Sequence, residues 1–234
     1  MGRDKPARWA ELETFSRVIQ PHFKDFYGND HPVKGNWNNQ VFNNNNPIIL
    51  ELGCGRGEYT VNLAAKFPDK NFIGIDIKGA RLWRGAKTAH DQDMINAAFL
   101  RTRIEIIRSF FLTDEVDEIW ITFPDPQLKN KRNKKRLTGP IFLSFYQTFL
   151  KDGGIVHLKT DNHDLYEDTL GLVINNKLEI ITSTDDLYSD GDISGLNKEL
   201  LSIKTHYEAQ FLEKGMKINY LSFRLKRSVN ISYD

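Results

Sequence analysis

The sequence lacks several features that mark particular classes of protein. Cys54 is the only cysteine among 234 residues, so an intramolecular disulfide is excluded and a reducing compartment fits best. No apolar run approaches the roughly 20 residues that a membrane span requires. The N-terminus also lacks the apolar core of a signal peptide. We therefore expect a cytoplasmic protein.

The sequence also has no large excess of positive or negative charge. The 32 basic and 31 acidic residues give a net charge of +1, so any affinity for nucleic acid must come from local clusters. The six histidines show no metal-ligand spacing, and we predict no metal. The 12% aromatic and 40% apolar content is typical of a globular protein, and the length suits one large domain.

The chain divides into an N-terminal arm, residues 1–46, and one domain, residues 47–234. Apolar residues at helical spacing predict an amphipathic helix over residues 8–26, namely Trp9, Leu12, Phe15 and Ile19. The asparagine-rich residues 28–46 predict a loop. We expect the arm to be partly flexible. It either docks or frays in the free protein, or becomes ordered when a large substrate binds.

Predicted strands and helices alternate through the domain. The strands are residues 48–52, 71–77, 98–102, 119–123, 155–160, 178–183 and 217–226. The helices are residues 58–67, 78–96, 104–111, 140–150, 164–174 and 198–214. Strands joined by crossover helices require a mostly parallel sheet. The fold class is therefore α/β, doubly wound, with helices on both faces of the sheet.

One acid, Asp125, stands at the end of the fourth strand between Pro124 and Pro126. Neither proline can donate a backbone hydrogen bond, so the strand stops here on a stiff turn. The carboxyl ends of strands form the ligand-binding edge of such sheets. Six basic residues follow within eight positions: Lys129, Lys131, Arg132, Lys134, Lys135 and Arg136. A carboxylate beside this basic segment, defined as residues 129–136, suggests chemistry on a polyanion.

A glycine-rich loop, Gly53-Cys54-Gly55-Arg56-Gly57, follows the first strand, and Asp76 ends the second. Glycine lets the backbone approach a ligand closely, and an acid such as Asp76 can accept hydrogen bonds from ribose hydroxyls. This spacing alone is also compatible with a nicotinamide or flavin cofactor. Glu51 precedes the glycines, where it repels a diphosphate but attracts a cationic amino-acid group. That favours S-adenosylmethionine, whose ammonium and sulfonium are positive.

Together these motifs resemble the tRNA (guanine-N7)-methyltransferase family over roughly residues 47–225. The resemblance rests on five segments: ELGCGRG, GIDI, FPDP with its basic tail, HLKTD and THYE. It implies a seven-stranded Rossmann-like methyltransferase sheet, S-adenosylmethionine as cofactor and tRNA as substrate. The methylated guanine is then nucleotide 46 in the variable loop of tRNA. No obligatory protein partner is expected, and the protein is either a monomer or a weak homodimer.

The resemblance also implies the roles of individual residues. Asp125 is the catalytic acid. Cofactor-binding residues are Glu51, Gly53, Gly55, Gly57, Asp76, Arg103 and Asp125. Substrate-binding residues are Lys129, Lys131, Arg132, Lys134, Lys135, Arg136, Asp161, Thr205, His206, Tyr207 and Glu208. Arg103 is a departure from the family, which usually has an acid beside the adenine at this position.

Guanine N7 carries an in-plane lone pair, so no proton has to leave before attack. The site must align N7 with the methyl–sulfur bond and stabilise the cationic purine that forms. Asp125 suits an orienting and electrostatic role better than that of a general base. Asp161 and Glu208 are predicted to accept hydrogen bonds from the guanine edge.

Structural alternatives stay open for several of these residues. Asp161 can instead cap the helix that begins near Asp164, and Thr205 and Glu208 can form only a surface pair. The basic segment can be a solvated loop. Two rival functions are an amino-methyltransferase acting on exocyclic nitrogens and a non-catalytic RNA-binding protein. The first needs an aromatic residue after the prolines, where this chain has Gln127 and Leu128.

Overall fold

The structure is a computed structural model that describes residues 5–127, 134–188 and 203–233. Its strands are β1 (Val18–Ile19), β2 (Ile48–Leu52), β3 (Asn71–Asp76), β4 (Ala97–Arg101), β5 (Val116–Thr122), β6 (Leu150–Thr160), β7 (Glu179–Thr184) and β8 (Asn219–Leu225). Its α-helices are α1 (Lys5–Leu12), α2 (Glu58–Lys66), α3 (Gly79–Asp91), α4 (Pro140–Tyr146), α5 (His163–Asn175) and α6 (His206–Glu213). Short 3₁₀ helices cover Phe23–Phe26 and Ile104–Ser109, and a π-helical turn covers Trp37–Phe42.

The described strands form one sheet in the order β1-β4-β3-β2-β5-β6-β8-β7. Neighbouring strands from β1 to β6 are parallel, whereas β8 is antiparallel to both β6 and β7. This confirms the predicted mostly parallel α/β sheet. The carboxyl ends of β2 to β6 meet at one edge, which we call the ligand edge because ligands bind there in such sheets.

The sheet has a hydrophobic core on each face. One core packs β-strand side chains against α4, α5 and the turn around Trp37 and Phe42. The other contains residues of α1, α2 and α3, such as Leu12 and Tyr59, with α6 packed beside them. Burial on both faces explains why β2 is apolar at every position except Glu51.

The N-terminal arm departs from the prediction of one long helix. α1 ends at Leu12, and Val18–Ile19 then pairs in parallel with β4, which makes eight strands instead of seven. Of the apolar residues with helical spacing, Leu12 and Phe15 are buried, whereas Trp9 is 41% exposed. Phe15 packs on His90, and Ile19 lies opposite Leu100 in the sheet. The predicted loop also contains the π-helical turn. The boundary at residue 47 stays a prediction.

The other boundaries differ by a few residues. β6 begins at Leu150, where a helix end and turn were predicted, because it continues along Val116 at the start of β5. α3 ends at Asp91 rather than near residue 96. α6 begins at His206, so residues 203–205 of the predicted helix are not helical, and residues 198–202 lie outside the described ranges. Within those ranges, no helix is long and apolar enough to cross a membrane.

Candidate active site at the ligand edge

The glycine loop joins β2 to α2 in a conformation that needs glycine. Gly53, Gly55 and Gly57 all have positive φ, at 73°, 57° and 68°. A Cβ on Gly57 would lie 2.5 Å from Cε1 of Phe99, so even a methyl group there would collide with β4. The amides of Gly53 and Cys54 donate to the carbonyl of Ile75, at 2.8 and 3.0 Å. The loop is therefore packed against the end of β3.

Glu51 lies in β2 just before this loop, and only 3% of its surface is exposed. Its Oε2 accepts a hydrogen bond from the amide of Thr60 at 2.8 Å and another from the Thr60 hydroxyl, and its Oε1 accepts from Oγ1 of Thr122 at 2.7 Å. Burial raises the pKa of Glu51 from its usual 4.5 to about 7, although the hydrogen bonds from Thr60 and Thr122 oppose this. The charge of Asp76 adds to the increase.

Asp76 ends β3 with its carboxylate held by backbone donors. Oδ2 accepts from the amide of Gly55 at 3.0 Å, and Oδ1 accepts from the amide of Lys78 at 2.7 Å. The next residue, Ile77, is 48% exposed. Gly53, Asp76 and Ile77 line a pocket of about 370 Å³ that is completed by the end of β4. A carboxylate beside an exposed apolar side chain can hold a ribose next to a flat base.

Thr102 and Arg103, which follow β4, also line this pocket. The guanidinium carbon of Arg103 lies 4.8 Å from the ring centroid of Phe23, in the N-terminal arm. Oγ1 of Thr102 is buried and has no hydrogen-bond partner among the described residues. Thr102 lines this pocket but was not among the predicted site residues, because nothing in its local sequence relates it to a ligand.

Asp125 projects from a constrained turn after β5. Phe123 has a φ of 48°, which is unusual for an aromatic residue, and its amide donates to the carbonyl of Lys159 at 2.7 Å. Asp125 is exposed, and its Oδ1 accepts from the amide of Gln127 at 3.1 Å. The carboxylate thus keeps acceptor capacity for a ligand.

Arg136 contacts the turn that carries Asp125. Its Nε donates to the carbonyl of Pro126 at 3.0 Å, and its guanidinium is paired with Asp168 of α5. Only 11% of the Arg136 side chain is exposed. These contacts support a structural role near Asp125 more directly than the predicted RNA contact, which stays a prediction.

The rest of the basic segment divides into two parts. Lys129, Lys131 and Arg132 lie outside the described residues. Lys134 and Lys135 are exposed and line a groove of about 800 Å³, together with Lys34 and Arg108. Glu105 lines both this groove and the pocket beside Asp76, so the basic side chains lie next to the candidate cofactor pocket.

Asp161 follows β6 at the ligand edge. The side chain of Asn162, not that of Asp161, caps α5, since Oδ1 of Asn162 accepts from the amide of Leu165 at 2.8 Å. The alternative that Asp161 is the helix cap is therefore wrong. Its half-buried side chain remains a candidate for binding the guanine edge.

The segment from Thr205 to Glu208 opens α6 with a capping box. The Thr205 hydroxyl accepts from the amide of Glu208 at 3.1 Å, and the Glu208 carboxylate accepts from the amide of Thr205 at 3.2 Å. Glu208 is fully buried, so the alternative of a surface pair is wrong. The His206 side chain lies outside the described part of the structure, and Tyr207 is 43% exposed.

Glu208 forms a buried ion pair with Lys159 of β6. Nζ of Lys159 lies 2.6 Å from Oε1 of Glu208, and the Tyr188 hydroxyl donates to the same oxygen at 2.5 Å. Burial lowers the pKa of Lys159, and the charge of Glu208 opposes this shift. Direct contact between Glu208 and a base would require the pair to open. Lys159 was missed from the sequence, although a lysine inside an apolar strand was a visible signal.

The ligand edge therefore gathers Glu51, Asp76, Asp125 and Asp161 from β2, β3, β5 and β6. The described residues contain no group of three or more histidine, cysteine or acidic side chains arranged to hold a metal. These carboxylates range from buried to exposed, and basic side chains lie nearby. The carboxylates suit a cationic cofactor, and the basic side chains suit an anionic substrate.

Comparison with known proteins gives consistent results. A sequence model of the family described as "Putative methyltransferase" matches residues 45–221. The tRNA (guanine-N(7)-)-methyltransferase of Christiangramia forsetii is 51% identical over 224 residues, which are 96% of this chain and 99% of that protein. The protein of the same name from Porphyromonas gingivalis is 52% identical, covering 92% of this chain and 86% of its own length.

Solved structures share the fold at low sequence identity. The 16S rRNA methyltransferase KamB has a TM-score of 0.58 at 14% identity, over 80% of this chain and 91% of that chain. The 30S ribosomal A1408 methyltransferase from an uncultured bacterium has a TM-score of 0.54 at 18% identity, over 79% and 90%. These matches confirm a methyltransferase-like α/β fold and carry no information about substrate.

Proposed function

This chain belongs to the tRNA (guanine-N7)-methyltransferase family, and we propose that it methylates N7 of a guanine in the variable loop of tRNA, using S-adenosylmethionine. The observation that carries the proposal is the position of Asp125. It stands on a turn braced by Arg136, at the same edge of the sheet as the glycine loop, Glu51 and Asp76. A cytoplasmic location stays a prediction from the sequence.

The residues around the glycine loop fit S-adenosylmethionine. Gly53 and Asp76 line the pocket of about 370 Å³, where the Asp76 carboxylate can accept hydrogen bonds from ribose hydroxyls. Glu51 supplies negative charge below the loop, which suits the ammonium group of the amino-acid portion. When bound, this cofactor supplies an activated methyl group on a positive sulfur.

Asp125 is proposed to position guanine and to stabilise its cationic product. A carboxylate can accept hydrogen bonds from guanine N1–H and from the exocyclic amino group, which orients the base. Its negative charge is attractive to the imidazolium that forms when N7 is methylated. Because N7 has a free lone pair, the residue does not have to remove a proton. Asp161 is proposed as a second acceptor at the guanine edge.

The two rival functions, an exocyclic amino-methyltransferase and a non-catalytic RNA-binding protein, would require different residues here. An amino-methyltransferase needs an aromatic residue after the prolines to stack the target base, and Gln127 follows Pro126 here. Gln127 has a φ of 48° and donates its amide to Asp125, so this position shapes the turn. A non-catalytic RNA-binding protein does not need Glu51, Asp76 and Asp125 at the same edge.

The test is to incubate the purified full chain with an unmodified tRNA transcript and methyl-labelled S-adenosylmethionine. We expect label on one guanine of the variable loop, with the chemical sensitivity of N7-methylguanosine to reduction and strand cleavage. A transcript with adenine at that position is the control and stays unlabelled. Label on an exocyclic nitrogen supports the first rival, and tRNA binding without any methyl transfer supports the second.

A further inference from the structure

The turn after β5 has a strained backbone that depends on contacts with other segments. Phe123 and Gln127 both have a φ of 48°, in the left-handed region that residues other than glycine rarely adopt. Such conformations persist only where the surrounding structure holds them. On one side of the turn, the amide of Phe123 donates to the carbonyl of Lys159 at 2.7 Å. On the other side, Nε of Arg136 donates to the carbonyl of Pro126 at 3.0 Å.

Asp168, in α5, fixes the direction of the Arg136 guanidinium. Nη1 of Arg136 is paired with Oδ2 of Asp168, while Nε of the same planar group donates to Pro126. Only 11% of the Arg136 side chain is exposed, against 39% of the Asp168 side chain. Because a guanidinium presents its donors in a rigid fork, a partner for one nitrogen sets the direction of the others. The position of Asp168 therefore determines how Nε meets the turn.

The two residues that follow Arg136 are anchored to the helices and lie beside the glycine loop. The carbonyl of Leu137 accepts from the Tyr146 hydroxyl at 3.0 Å, and the buried hydroxyls of Thr138 and Thr169 are 2.8 Å apart. A Cβ on Gly53 would lie 3.8 Å from Cδ1 of Leu137. The guanidinium thus extends from a fixed stretch of backbone beside the glycine loop.

Tyr233 lies against the same ion pair. Burial raises the pKa of Tyr233 and the charge of Asp168 adds to this, whereas the charge of Arg136 and a hydrogen bond with its guanidinium oppose it. The preceding residue is held to α5, because the amide of Ser232 donates to Oδ1 of Asn176 at 3.0 Å and Nδ2 of Asn176 donates back to the carbonyl of Ser232 at 2.8 Å. These contacts engage the guanidinium within the protein rather than with an RNA phosphate.

We propose that Asp168 is a positioning residue for methyl transfer. By pairing with Arg136 it keeps the hydrogen bond to Pro126 in place, and this bond sets where the Asp125 carboxylate meets guanine. Arg136 then serves the turn instead of contacting tRNA. The inference rests on the proposed function, because it takes Asp125 as the residue that binds the target base.

Asp168→Asn separates the two possible roles of Arg136. The variant removes an acid and leaves the charge of Arg136 in place, so an arginine that binds phosphate would bind tRNA equally well or more tightly. A positioning role predicts that the single-turnover rate at saturating tRNA and cofactor falls on the order of 10-fold, since displacement of a reacting group by about 1 Å can cost about 100-fold. Affinity for S-adenosylhomocysteine should not change.

Arg136→Lys provides a second, independent test. The lysine keeps the positive charge, but a single ammonium group does not reproduce the fork that serves both Pro126 and Asp168. We expect a loss of single-turnover rate similar to that of Asp168→Asn, with the slope of log tRNA affinity against log salt unchanged. A phosphate contact predicts a nearly normal rate instead, because lysine also binds phosphates.

Asp164→Asn is the matched control, because Asp164 is an exposed acid one turn earlier in α5 and the charge change is the same. It should retain the full rate, and urea denaturation shows whether each variant is folded under the assay conditions. A normal rate for either folded test variant, or equal losses for Asp164→Asn and Asp168→Asn, overturns the positioning role. If the unaltered chain transfers no methyl group to tRNA, the proposed function itself is wrong, which separates the two failures.

Discussion

At the scale of single residues, three carboxylates of one site lie in three environments. Glu51 is buried among hydroxyl and amide donors, Asp76 is held by two backbone amides, and Asp125 is exposed on a rigid turn. These environments suit three tasks: attraction of an ammonium group, hydrogen bonding to a ribose, and positioning of a base. The same chemical group can therefore suit three different proposed tasks, because its surroundings differ.

Cofactor binding should depend on pH through Glu51. The pKa of Glu51 in the free protein is raised to about 7, and a positive ammonium group favours the ionised form. Binding of S-adenosylmethionine should therefore release up to about half a proton at pH 7 and almost none at pH 8.5. Calorimetry in buffers of different ionisation enthalpy measures this release. Glu51→Gln should abolish it and weaken binding, and a proton count of zero at pH 7 contradicts the prediction.

The raised pKa of Glu51 also predicts how the free energy of unfolding of the free protein depends on pH. Because the folded-state pKa of Glu51 exceeds its unfolded value of 4.5, the folded chain retains the proton more tightly. The contribution of Glu51 to the free energy of unfolding therefore falls as pH rises from about 4.5 to 7, then stays level. Glu51→Gln should raise the free energy of unfolding at pH 8 by on the order of 3 kcal/mol, as measured by urea denaturation.

Asp125→Asn should reduce the rate of methyl transfer by at least about 100-fold, the scale of losing one electrostatic stabiliser in an active site. The amide keeps the shape of the side chain, but it loses the negative charge and presents a donor to guanine donors. Single-turnover rates at saturating tRNA and cofactor measure the effect. Asp164→Asn, at an exposed acid in the first turn of α5, is the control and should retain activity. A near-normal rate for Asp125→Asn would remove this residue from the mechanism.

At the scale of elements, β6 and α6 are joined by a buried ion pair. Lys159 and Glu208 connect the strand that precedes Asp161 to the helix that begins after Thr205. Lys159 also donates to the carbonyl of Ile203 at 3.4 Å, and Tyr188 donates to Glu208. The predicted substrate-binding segment is thus anchored to the core beside the candidate site.

Removal of one partner of this pair should be costly. Lys159→Met leaves the Glu208 carboxylate buried without its cation, which destabilises a protein by about 3–5 kcal/mol. Lys159→Met combined with Glu208→Gln should recover much of that loss, because no unpaired charge remains. Lys217→Met is the control, since Lys217 is 64% exposed and 3.7 Å from Asp186, and should change stability by less than about 1 kcal/mol. Urea denaturation measures all three, and equal losses for Lys159→Met and Lys217→Met would contradict the prediction.

At the scale of the whole molecule, the net charge of +1 gives no general attraction to RNA. The groove that contains Lys134, Lys135, Lys34 and Arg108 concentrates positive charge next to the ligand edge. Asp30 and Glu105 line it too, so its charge is mixed rather than uniformly positive. Local clustering of this kind can hold a tRNA backbone while the guanine approaches Asp125.

Lys134→Ala combined with Lys135→Ala should therefore weaken tRNA binding and reduce its dependence on salt. The slope of log affinity against log salt should fall by up to about 0.7–0.9 for each phosphate that is no longer neutralised, with unchanged cofactor affinity. Lys66→Ala is the control, because Lys66 ends α2 at the edge where the strands begin. Filter binding over a range of salt concentrations measures the slopes, and an unchanged slope would mean that the two lysines are only solvated.

The sequence by itself determined the succession of strands along the chain, the parallel sheet and the three carboxylates at the strand ends. These features depend on local patterns: apolar runs buried on both faces, glycines in a tight loop, and prolines that end a strand. Asp76 and Asp125 were identified in this way because Asp76 ends one strand and Asp125 lies on the turn that follows another. Their positions at one edge follow from the topology alone.

Only the tertiary structure decided which side chains serve the fold and which face the site. Glu208 is buried against Lys159, Arg136 braces the turn of Asp125, and Arg103 lies over Phe23 of the arm. Each contact joins segments that are distant in the chain, and periodicity carries no information about such partners. The arm shows the same limit, because its apolar spacing predicted one long helix, while pairing along β4 decided that Val18 and Ile19 form a strand.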